Sequence, residues 1–441
     1  MASKQSVDTI IHATYIIPVI PRGTILKDHS IILDKGKILA ILAQKECTNL
    51  YISDETHTLN DHVLMPGLIN AHGHAAMSLF RGLADDLPLM EWLNDHIWPA
   101  EGKWVSKEFV YDGTQLAIAE MIKSGTSTFS DMYFFPETAA KAACEAGIRA
   151  QICCPILDFP TAWGSGPDEY IHKSLALIEK YRDNEQVRIA LGPHAPYTVS
   201  DAPLTKIKDI AIEQGVPVQI HLHETQFEVN EAIENTGIRP IQRLKNLGLI
   251  NHDIALQCVH MTALNDEDIT TLMESQAHVI HCPESNLKLA SGFCPTDKLI
   301  KSQINIALGT DGAASNNDLD MFSEMRTAAL IAKPIAQNAA AFDSVTAIEV
   351  ATINSAKALG IDNQTGSLEP GKSADMIAID LNQLNTQPSY NLHSTIVYSV
   401  NAQQVKEHWV MGKQLLKHGK LINQSEQALL NTAKKWAEKI R

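Results

Sequence analysis

The 441-residue chain is acidic, with 36 lysines and arginines against 51 aspartates and glutamates and a formal charge of −15. No basic cluster stands out, which argues against nucleic acid or an anionic membrane as partner and favours a small-molecule substrate. Seven cysteines without CxxC spacing indicate buried free thiols, and the lack of an apolar leader or of a run of about 18 apolar residues indicates a cytoplasmic protein.

Short apolar stretches separated by Gly, Asp and Lys turns fill residues 1–64, as small antiparallel strands do. They resume after Leu359 in GSLEPGKSADMIAIDL, STIVYSV and VKEHWVMGKQLL. The pattern predicts a small composite β-sandwich domain built from both termini, residues 1–64 and 360–420. Residues 421–441 have helical spacing and are predicted to form a C-terminal helix packed on the outside.

Between these segments, residues 65–359 alternate short apolar runs with helical patterns, which is typical of βαβ units. The runs extend from LMPGLINAH to INIALGTDG, and their number, eight, is the number that closes a barrel. We therefore predict an α/β fold, a (β/α)8 TIM-type barrel. Long connections at about residues 75–105 and 158–170 are expected to wall its active rim.

Four side chains that can bind a metal ion end predicted strands: His72 and His74 after the first, His221 after the fifth and Asp311 after the eighth. His72 and His74 are two residues apart, so both side chains point to the same face of a strand. The carboxyl-end rim of a barrel would bring the four together. Three imidazoles and one carboxylate with room for water describe a catalytic metal site, whereas a structural site is closed by four protein ligands. The alternatives are that His72 or His74 fills polar space near a turn and that Asp311 caps a helix.

Several motifs together resemble the amidohydrolase superfamily. They are PGLINAHGH at 66–74, HxxE from His221 to Glu224, His260 on the sixth strand, HCPESN at 281–286 and GTDGAASNN at 309–317. Within that superfamily the chain is similar to the 5-methylthioadenosine/S-adenosylhomocysteine deaminase family, close to the triazine hydrolases. The resemblance spans nearly the whole chain and implies that His72, His74, His221 and Asp311 hold a metal ion.

One ion per subunit is expected. Two-metal relatives carry a modified lysine at the end of strand four, whereas here VRIALGPHAPYT offers His194 and no lysine before Lys206. Zinc suits a set of three histidines and one aspartate best, and the ligand types also admit Fe²⁺ or Mn²⁺.

The resemblance also implies catalytic roles. Glu224 would protonate the ring nitrogen beside the attacked carbon, a task suited to a carboxyl group. Asp311 would accept a proton from the water that the metal activates. His260 would lie near that water and shuttle protons with Glu224. A solvated carboxylate and a core histidine are the respective alternatives for Glu224 and His260, and His223, which shares the inward face with His221, is expected to pack behind the site.

Further residues are expected to touch the substrate. By resemblance Glu101 receives the ribose hydroxyls and His194 contacts the purine or sugar, alongside Glu224 and Asp311; an ordinary surface glutamate is the alternative for Glu101. Trp92, Trp98 and Met90 on the long first loop would form an apolar wall for a methylthio group, or simply pack the loop. The strand-seven motif is expected to line the pocket through His281, Ser285 and Asn286.

These features predict hydrolytic deamination of a 6-aminopurine nucleoside (5′-methylthioadenosine, S-adenosylhomocysteine or adenosine) to the inosine analogue and ammonia, by a homodimer or homotetramer. The loop DFPTAWGSGPDEY contains no arginine for the homocysteine carboxylate, Arg149 precedes strand three at the wrong end, and Arg81 is only a candidate. The smaller substrates are therefore favoured. The alternatives are a hydrolase of another amino-heterocycle, such as an aminotriazine or guanine-like base, and a non-catalytic scaffold, which would usually have lost metal ligands.

Overall fold

The computed structural model describes residues 4–441, so residues 1–3 of the predicted first segment lie outside the described range. Eight parallel strands form one sheet in chain order: β1 Leu68–Gly73, β2 Thr126–Met132, β3 Arg149–Ile156, β4 Val187–Pro193, β5 Val218–Leu222, β6 Leu256–His260, β7 His278–His281 and β8 Ile306–Leu308. A parallel bridge between Gly73 and Asp311 connects the last strand to the first. The predicted (β/α)8 barrel is confirmed.

Helices connect the strands and cover the barrel. They are Lys107–Lys123, Pro136–Ala146, Pro167–Tyr181, Asp201–Gln214, Gln226–Thr236, Pro240–Asn246, Asp266–Met273, Pro283–Lys288, Thr296–Lys301, Met321–Ala336, Ser344–Glu349 and Ser355–Ala358, with a π-helical turn at Val350–Asn354. Local sequence sets their ends: Thr225 accepts a hydrogen bond from the amide of Glu228, and Gly237 ends that helix with a left-handed φ of 78°.

The loop after β1 contains its own helical turns, at Ala75–Phe80, Leu89–Glu91, Trp92–Ile97 and Trp98–Trp104. Trp92 is buried and donates its indole N–H to the carbonyl oxygen of Ala84 at 3.1 Å. The loop is therefore an ordered wall at the rim of the barrel.

Both ends of the chain build a second sheet of eight strands. Their spatial order is Lys420–Leu421, Lys413–Lys417, Val405–Val410, Met376–Asp380, Glu55–Pro66, Thr9–Ile16, Leu26–Asp34 and Lys37–Ala43. Met376–Asp380 pairs antiparallel with the end of Glu55–Pro66, so hydrogen bonds join the two halves directly. A β-domain assembled from both termini is thereby confirmed. A small two-stranded sheet pairs Gln5–Ser6 with Tyr51–Ile52, and the helix Gln44–Leu50 precedes it.

One predicted strand is wrong: the first five residues of STIVYSV, 394–398, lie in the helix Leu392–Tyr398. The side chain of Asn391 accepts a hydrogen bond from the amide of Ser394 and caps the helix, and Ile396 and Val397 are fully buried. The capping bond and the buried contacts therefore outweigh the preference of β-branched residues for strands.

The C-terminal helix spans Glu426–Ile440 and packs on the helix Lys107–Lys123. Trp436 donates to Asp112 Oδ2 at 2.8 Å, and its ring meets Phe109 edge-on with centroids 5.2 Å apart. Within residues 4–441 no helix combines the length and apolarity needed to span a bilayer.

Candidate active site

Three histidines and an aspartate converge at the carboxyl ends of the barrel strands. His72 Nε2 lies 3.2 Å from His221 Nε2, and one ligand atom from each of His72, His74 and His221 falls within 4.8 Å of the others. Asp311 Oδ1 lies 3.2 Å from His74 Nε2 and 3.6 Å from His72 Nε2. The structure thus brings the four predicted metal ligands to one point.

Each of these imidazoles binds a protein oxygen through its other nitrogen. The Nδ1 atoms donate to Gln219 Oε1 from His72 at 2.7 Å, to the carbonyl of Met132 from His74 at 2.6 Å and to the carbonyl of His194 from His221 at 2.8 Å. With the proton on Nδ1, the neutral form of each ring presents an Nε2 lone pair to the shared point, and burial lowers the pKa of His72 and of His221 so that these two rings are neutral. Two lone pairs 3.2 Å apart repel unless a cation lies between them, so this donor set fits a divalent metal ion.

Gly309 makes room for this convergence. A Cβ atom at Gly309 would lie 2.8 Å from the backbone N and O atoms of His72, closer than any side chain tolerates. Strand β8 therefore approaches β1 closely enough to place Asp311 beside His72 and His74 only with glycine at this position.

Gly309→Ala is expected to push β8 from β1 and lower metal affinity at least about 10-fold, because Asp311 moves relative to the histidines. Metal affinity can be measured by competition with a chromophoric chelator. Gly215→Ala is the control, since Gly215 has a positive φ of 64° but no neighbour within 4 Å of the added Cβ. If the two variants bind metal equally well, the close approach at Gly309 has no bearing on the site.

Asp311 is held from both sides. Its Oδ2 accepts from Ser285 Oγ at 2.7 Å and its Oδ1 accepts from the amide of Gly312 at 2.8 Å. The backbone at Asp311 is left-handed, with φ of 61°, which is strained for a residue other than glycine. The carboxylate orientation is therefore set by the fold before any ligand binds.

Ser285 and His281 do not lie where the pocket prediction put them. Both are buried, and neither belongs to the cavity lining: Ser285 supports Asp311 from behind, and both ring nitrogens of His281 are without a hydrogen-bond partner within residues 4–441. The short strand β7 ends at His281 and leads directly into the helix Pro283–Lys288, which carries Ser285, and neither side chain reaches the cavity.

Glu224 lies beside the metal-capable cluster and is buried. Its Oε1 accepts from Ser291 Oγ at 3.1 Å, and its Oε2 lies 3.7 Å from His260 Nε2. Burial, together with the negative charge of Asp311, raises the pKa of Glu224 to about 8. The side chain therefore carries a proton at neutral pH.

His260 ends β6 with its ring facing both acids. Its Nδ1 donates to Asn286 Oδ1 at 2.8 Å, which leaves Nε2 directed to Glu224 Oε2 and, at 4.0 Å, to Asp311 Oδ2. Burial lowers the pKa of His260 below its ordinary value. The ring is accordingly neutral, with a free lone pair toward the cluster.

A cavity of about 210 Å³ opens beside these groups, which is room for a small molecule. Of the predicted site residues, it is lined by His74, His194, His221, Glu224, His260, Asp311, Glu101 and Trp92. Trp98 also lines it, whereas Met90 does not. His72 is fully buried beneath the cavity floor.

Glu101 and His194 both face the cavity, and in each side chain one polar atom already forms a hydrogen bond to the protein. Tyr133 donates its hydroxyl to Glu101 Oε1 at 2.7 Å, and burial raises the pKa of Glu101 to about 7. His194 Nδ1 pairs with Thr198 Oγ1 at 2.9 Å, and burial lowers its pKa to about 3, so its ring is neutral. Glu101 Oε2 and His194 Nε2 are left for a ligand.

His223 points away from the cavity, contrary to the expectation that it shares an inward face with His221. Its Nδ1 donates to the carbonyl of Ala263 and its Nε2 accepts from the amide of Ile241, each at 3.1 Å. The reason is that β5 ends at Leu222 and the backbone at His223 is left-handed, with φ of 52°, which breaks the two-residue alternation.

Sequence reasoning missed the residues that support the ligands. Gln219 and Ser291 bond to His72 and Glu224, and Tyr133 bonds to Glu101. Gln219 could have been identified from the sequence, because it lies two residues before His221 on the same strand and therefore faces the same barrel interior. Tyr133 could also have been identified, because it directly follows β2 and the residue after a barrel strand lies at the active rim.

Asp131 was missed as well. Its Oδ1 accepts from the amide of Ala75 at 2.7 Å, while its buried Oδ2 has no partner within residues 4–441. Burial raises the pKa of Asp131 to about 6. The contact fixes the start of the helical turn that follows His74.

Comparison with known proteins places these features in context. Residues 63–415 match the sequence profile of the amidohydrolase family. The chain is 54% identical over 441 residues to a 5-methylthioadenosine/S-adenosylhomocysteine deaminase of Saccharophagus degradans, covering 100% of this chain and 98% of the relative. It is 43% identical over 383 residues to a 5′-deoxyadenosine deaminase of Methanococcus vannielii, covering 86% and 89%.

Two solved structures share the fold along almost the whole chain. An adenosine deaminase of Xanthomonas campestris with bound zinc has a TM-score of 0.98 at 44% identity, covering 100% of both chains. An atrazine chlorohydrolase of Arthrobacter aurescens has a TM-score of 0.90 at 20% identity, covering 97% of this chain and 99% of the other. At that lower identity the likeness extends to the fold alone.

Proposed function

The chain belongs to the amidohydrolase family, and from that premise we propose that it is a zinc-dependent hydrolytic deaminase of 6-aminopurine nucleosides. The reaction would release ammonia and leave the inosine analogue. One observation carries the proposal: the buried carboxyl group of Glu224 lines the same cavity as His74, His221 and Asp311 of the donor set, with His72 directly beneath. The relatives named as nucleoside deaminases support the substrate class.

One Zn²⁺ per subunit would be held by His72, His74, His221 and Asp311. A divalent ion in such a site acidifies water and supplies a hydroxide-like nucleophile near neutral pH. The three Nε2 lone pairs and the preset Asp311 carboxylate support this assignment.

Asp311 and Glu224 divide the proton transfers. Asp311 accepts the proton that leaves the attacking water, and Ser285 keeps its carboxylate in place during that step. Glu224 donates its proton to the ring nitrogen next to the amino-bearing carbon, which makes that carbon more electrophilic. When the carbon–nitrogen bond breaks, Asp311 gives the water proton to the departing amino group, which leaves as ammonia, and the new hydroxyl group returns a proton to Glu224 as it becomes the carbonyl. His260 Nε2, 3.7 Å from Glu224 Oε2, is positioned to relay that proton.

His194 and Glu101 orient the nucleoside. His194 Nε2 faces the cavity as a neutral ring nitrogen that can bond the purine or the sugar. Glu101 accepts from the ribose hydroxyls, and Tyr133 keeps its carboxylate aligned. Placement by fixed groups lowers the entropy cost of reaching the attacking geometry.

A panel assay tests the function directly. Purified protein with measured zinc content is expected to remove the ultraviolet absorbance of 5′-methylthioadenosine, 5′-deoxyadenosine or adenosine, with release of one ammonia per nucleoside. The proposal fails if zinc-loaded protein leaves every aminopurine nucleoside unchanged. Turnover of aminotriazines or free guanine-like bases in place of nucleosides would instead favour the alternative function, a hydrolase of another amino-heterocycle.

Glu101→Ala is expected to lower kcat/KM for nucleosides about 10- to 100-fold, because a charge-assisted hydrogen bond to the sugar is lost. Steady-state kinetics with adenosine and with its 2′,3′-dideoxy analogue measure the effect. The variant should lose much less on the analogue, which has no ring hydroxyls. Tyr133→Phe, which removes only the support at Oε1, should show a smaller loss of about 10-fold on adenosine. Equal losses on both substrates would show that Glu101 does not hold the ribose.

We further propose a homodimer or homotetramer that works in the cytoplasm. Seven unpaired cysteines, six of them buried, suit a reducing compartment. Light scattering on the purified protein measures the assembly, and a monomer at assay concentration would exclude it.

A further inference from the structure

Three buried glutamines cross the interior of the barrel beneath the metal-capable cluster. Gln151 lies on β3, Gln219 on β5 and Gln257 on β6, and all three are buried. Barrel interiors are ordinarily filled by branched apolar side chains, so amides in this place need hydrogen-bond partners. Hydrogen bonds join the three in the order Gln219, Gln257, Gln151, and we call them the glutamine network. At one end of the network, Gln219 accepts from His72.

The main chain fixes the direction of the Gln257 amide. Its Nε2 lies 2.8 Å from the carbonyl oxygen of Ala358, which can only accept a hydrogen bond. Its Oε1 therefore faces the other way and accepts from Gln219 Nε2 at 2.8 Å and from Gln151 Nε2 at 2.7 Å. A reversed amide would set an oxygen against the Ala358 carbonyl and an NH2 group against that of Gln219, which costs both hydrogen bonds.

Gln219 takes its direction from Gln257 and from the main chain. Its Nε2 donates to Gln257 Oε1 at 2.8 Å and to the carbonyl oxygen of Ala71 at 3.0 Å. The third neighbour, the hydroxyl of Ser130 at 3.2 Å, accepts here, although a hydroxyl is equally able to donate. Gln219 Oε1 is thereby turned to His72 Nδ1, 2.7 Å away, where only a protonated nitrogen can meet it.

The two neutral tautomers of His72 differ in what Nε2 can do. With the proton on Nδ1, the lone pair of Nε2 is available to a metal ion. With the proton on Nε2, that nitrogen would point a hydrogen into the cluster, toward Asp311 Oδ1 at 3.6 Å, and could not bind a metal. Since His72 is fully buried, bulk water does not reach Nδ1, and the acceptor inside the barrel decides between the tautomers.

We propose that Gln257 is a positioning residue of the metal site, because it acts through Gln219 to hold His72 in the tautomer whose Nε2 can bind the ion. The hydrogen bonds of Gln257 reach none of the four metal ligands. The glutamine network works as a unit, since turning one amide leaves donor facing donor or acceptor facing acceptor. This inference rests on the proposed metal site and extends it to a residue one hydrogen bond beyond Gln219.

Gln257→Met is expected to lower the affinity for zinc about 10-fold, because Gln219 loses its closest acceptor and a reversed amide becomes accessible. Competition with a chromophoric chelator measures the affinity. Gln151→Met is the matched control: it removes an equally buried glutamine of the same network, which bonds to Gln257, Ser130 and Cys153 but to no metal ligand. The control should lower the unfolding temperature to a similar extent and bind zinc within about threefold of the wild-type affinity.

Gln257→Glu changes the chemistry of the side chain but not its direction. A carboxyl group buried among these amides stays protonated, so its hydroxyl donates to Ala358 and its carbonyl oxygen accepts from Gln219. Zinc affinity should then remain within about threefold of the wild-type value. A loss as large as that of Gln257→Met would contradict the role of amide direction.

A double variant tests whether Gln257 acts through Gln219. Gln219→Met is expected to lower zinc affinity about 10- to 100-fold, since His72 Nδ1 loses its acceptor. Adding Gln257→Met to it should cause no further loss, because the two side chains act on His72 in series. Additive losses would overturn the inference.

The tautomer can be observed in metal-free wild-type protein labelled with ¹⁵N-histidine, a measurement that depends on no variant of the network. Proton–nitrogen NMR correlations, assigned by their loss in His72→Gln, are expected to place the His72 proton on Nδ1. In Gln257→Met part of the population should carry it on Nε2. A proton on Nε2 in the wild type, or equal zinc affinity in Gln257→Met and Gln151→Met, overturns the inference and leaves the metal site standing. The metal site falls separately if wild-type protein binds no zinc.

Discussion

Glu224→Gln is expected to lower kcat about 1,000-fold, because the variant can no longer donate a proton to the purine ring nitrogen. Glutamine keeps the size of the side chain and an oxygen that accepts from Ser291. Nucleoside binding should therefore survive, with KM within about threefold of the wild-type value. Steady-state kinetics and the zinc content of the same sample measure both effects.

Ser291→Ala is the matched control for Glu224→Gln. It keeps the carboxyl group and removes only the 3.1 Å hydrogen bond to its Oε1, so a loss of about 10-fold in kcat is expected. If Glu224→Gln keeps a near-wild-type kcat with full zinc content, Glu224 does not donate the proton, and the proposed function lacks a proton donor.

His221→Ala is expected to abolish both metal binding at the site and deamination, with kcat/KM reduced by at least about 10,000-fold. The reason is that one of three imidazole lone pairs is lost from a set whose members lie within 4.8 Å. Zinc per chain after dialysis and activity after zinc addition measure the two losses.

His223→Ala provides an unusually close control, because His223 lies two residues further on and is also buried. Its ring forms hydrogen bonds to the main chain of Ala263 and Ile241, and Nδ1 lies 3.7 Å from Asp268 Oδ2, so all three contacts lie away from the metal ligands. The variant should unfold at a lower temperature and still bind one zinc ion. If His221→Ala retains stoichiometric zinc, or if His223→Ala loses it, the ligand assignment is wrong.

The barrel and its metal-capable residues could be predicted because their signals are local. Apolar runs of strand length fix where the strands lie, and the residue that ends a parallel strand must stand at the carboxyl-end rim. His72, His74, His221 and Asp311 each end such a run, and the structure brings them together. The composite β-domain followed from short strand patterns at both ends of the chain.

The predictions of one strand and of three side-chain orientations were wrong where the backbone leaves the regular strand path. The capped helix at Leu392–Tyr398 replaced a predicted strand, and the left-handed φ of His223 turned that ring outward. Ser285 and His281 do not reach the cavity, at the point where β7 leads directly into a helix. Strand alternation does not extend through such turns.

Strand length and the two-residue period depend on neighbouring residues alone, so the identity of the groups at the rim follows from local sequence. The orientation of those groups depends on contacts between distant parts of the chain. The partner of His72 is Gln219, 147 residues away, and Glu224 depends on Ser291, 67 residues away. Such pairs follow from strand register and loop path, which are properties of the folded barrel and not of any local segment.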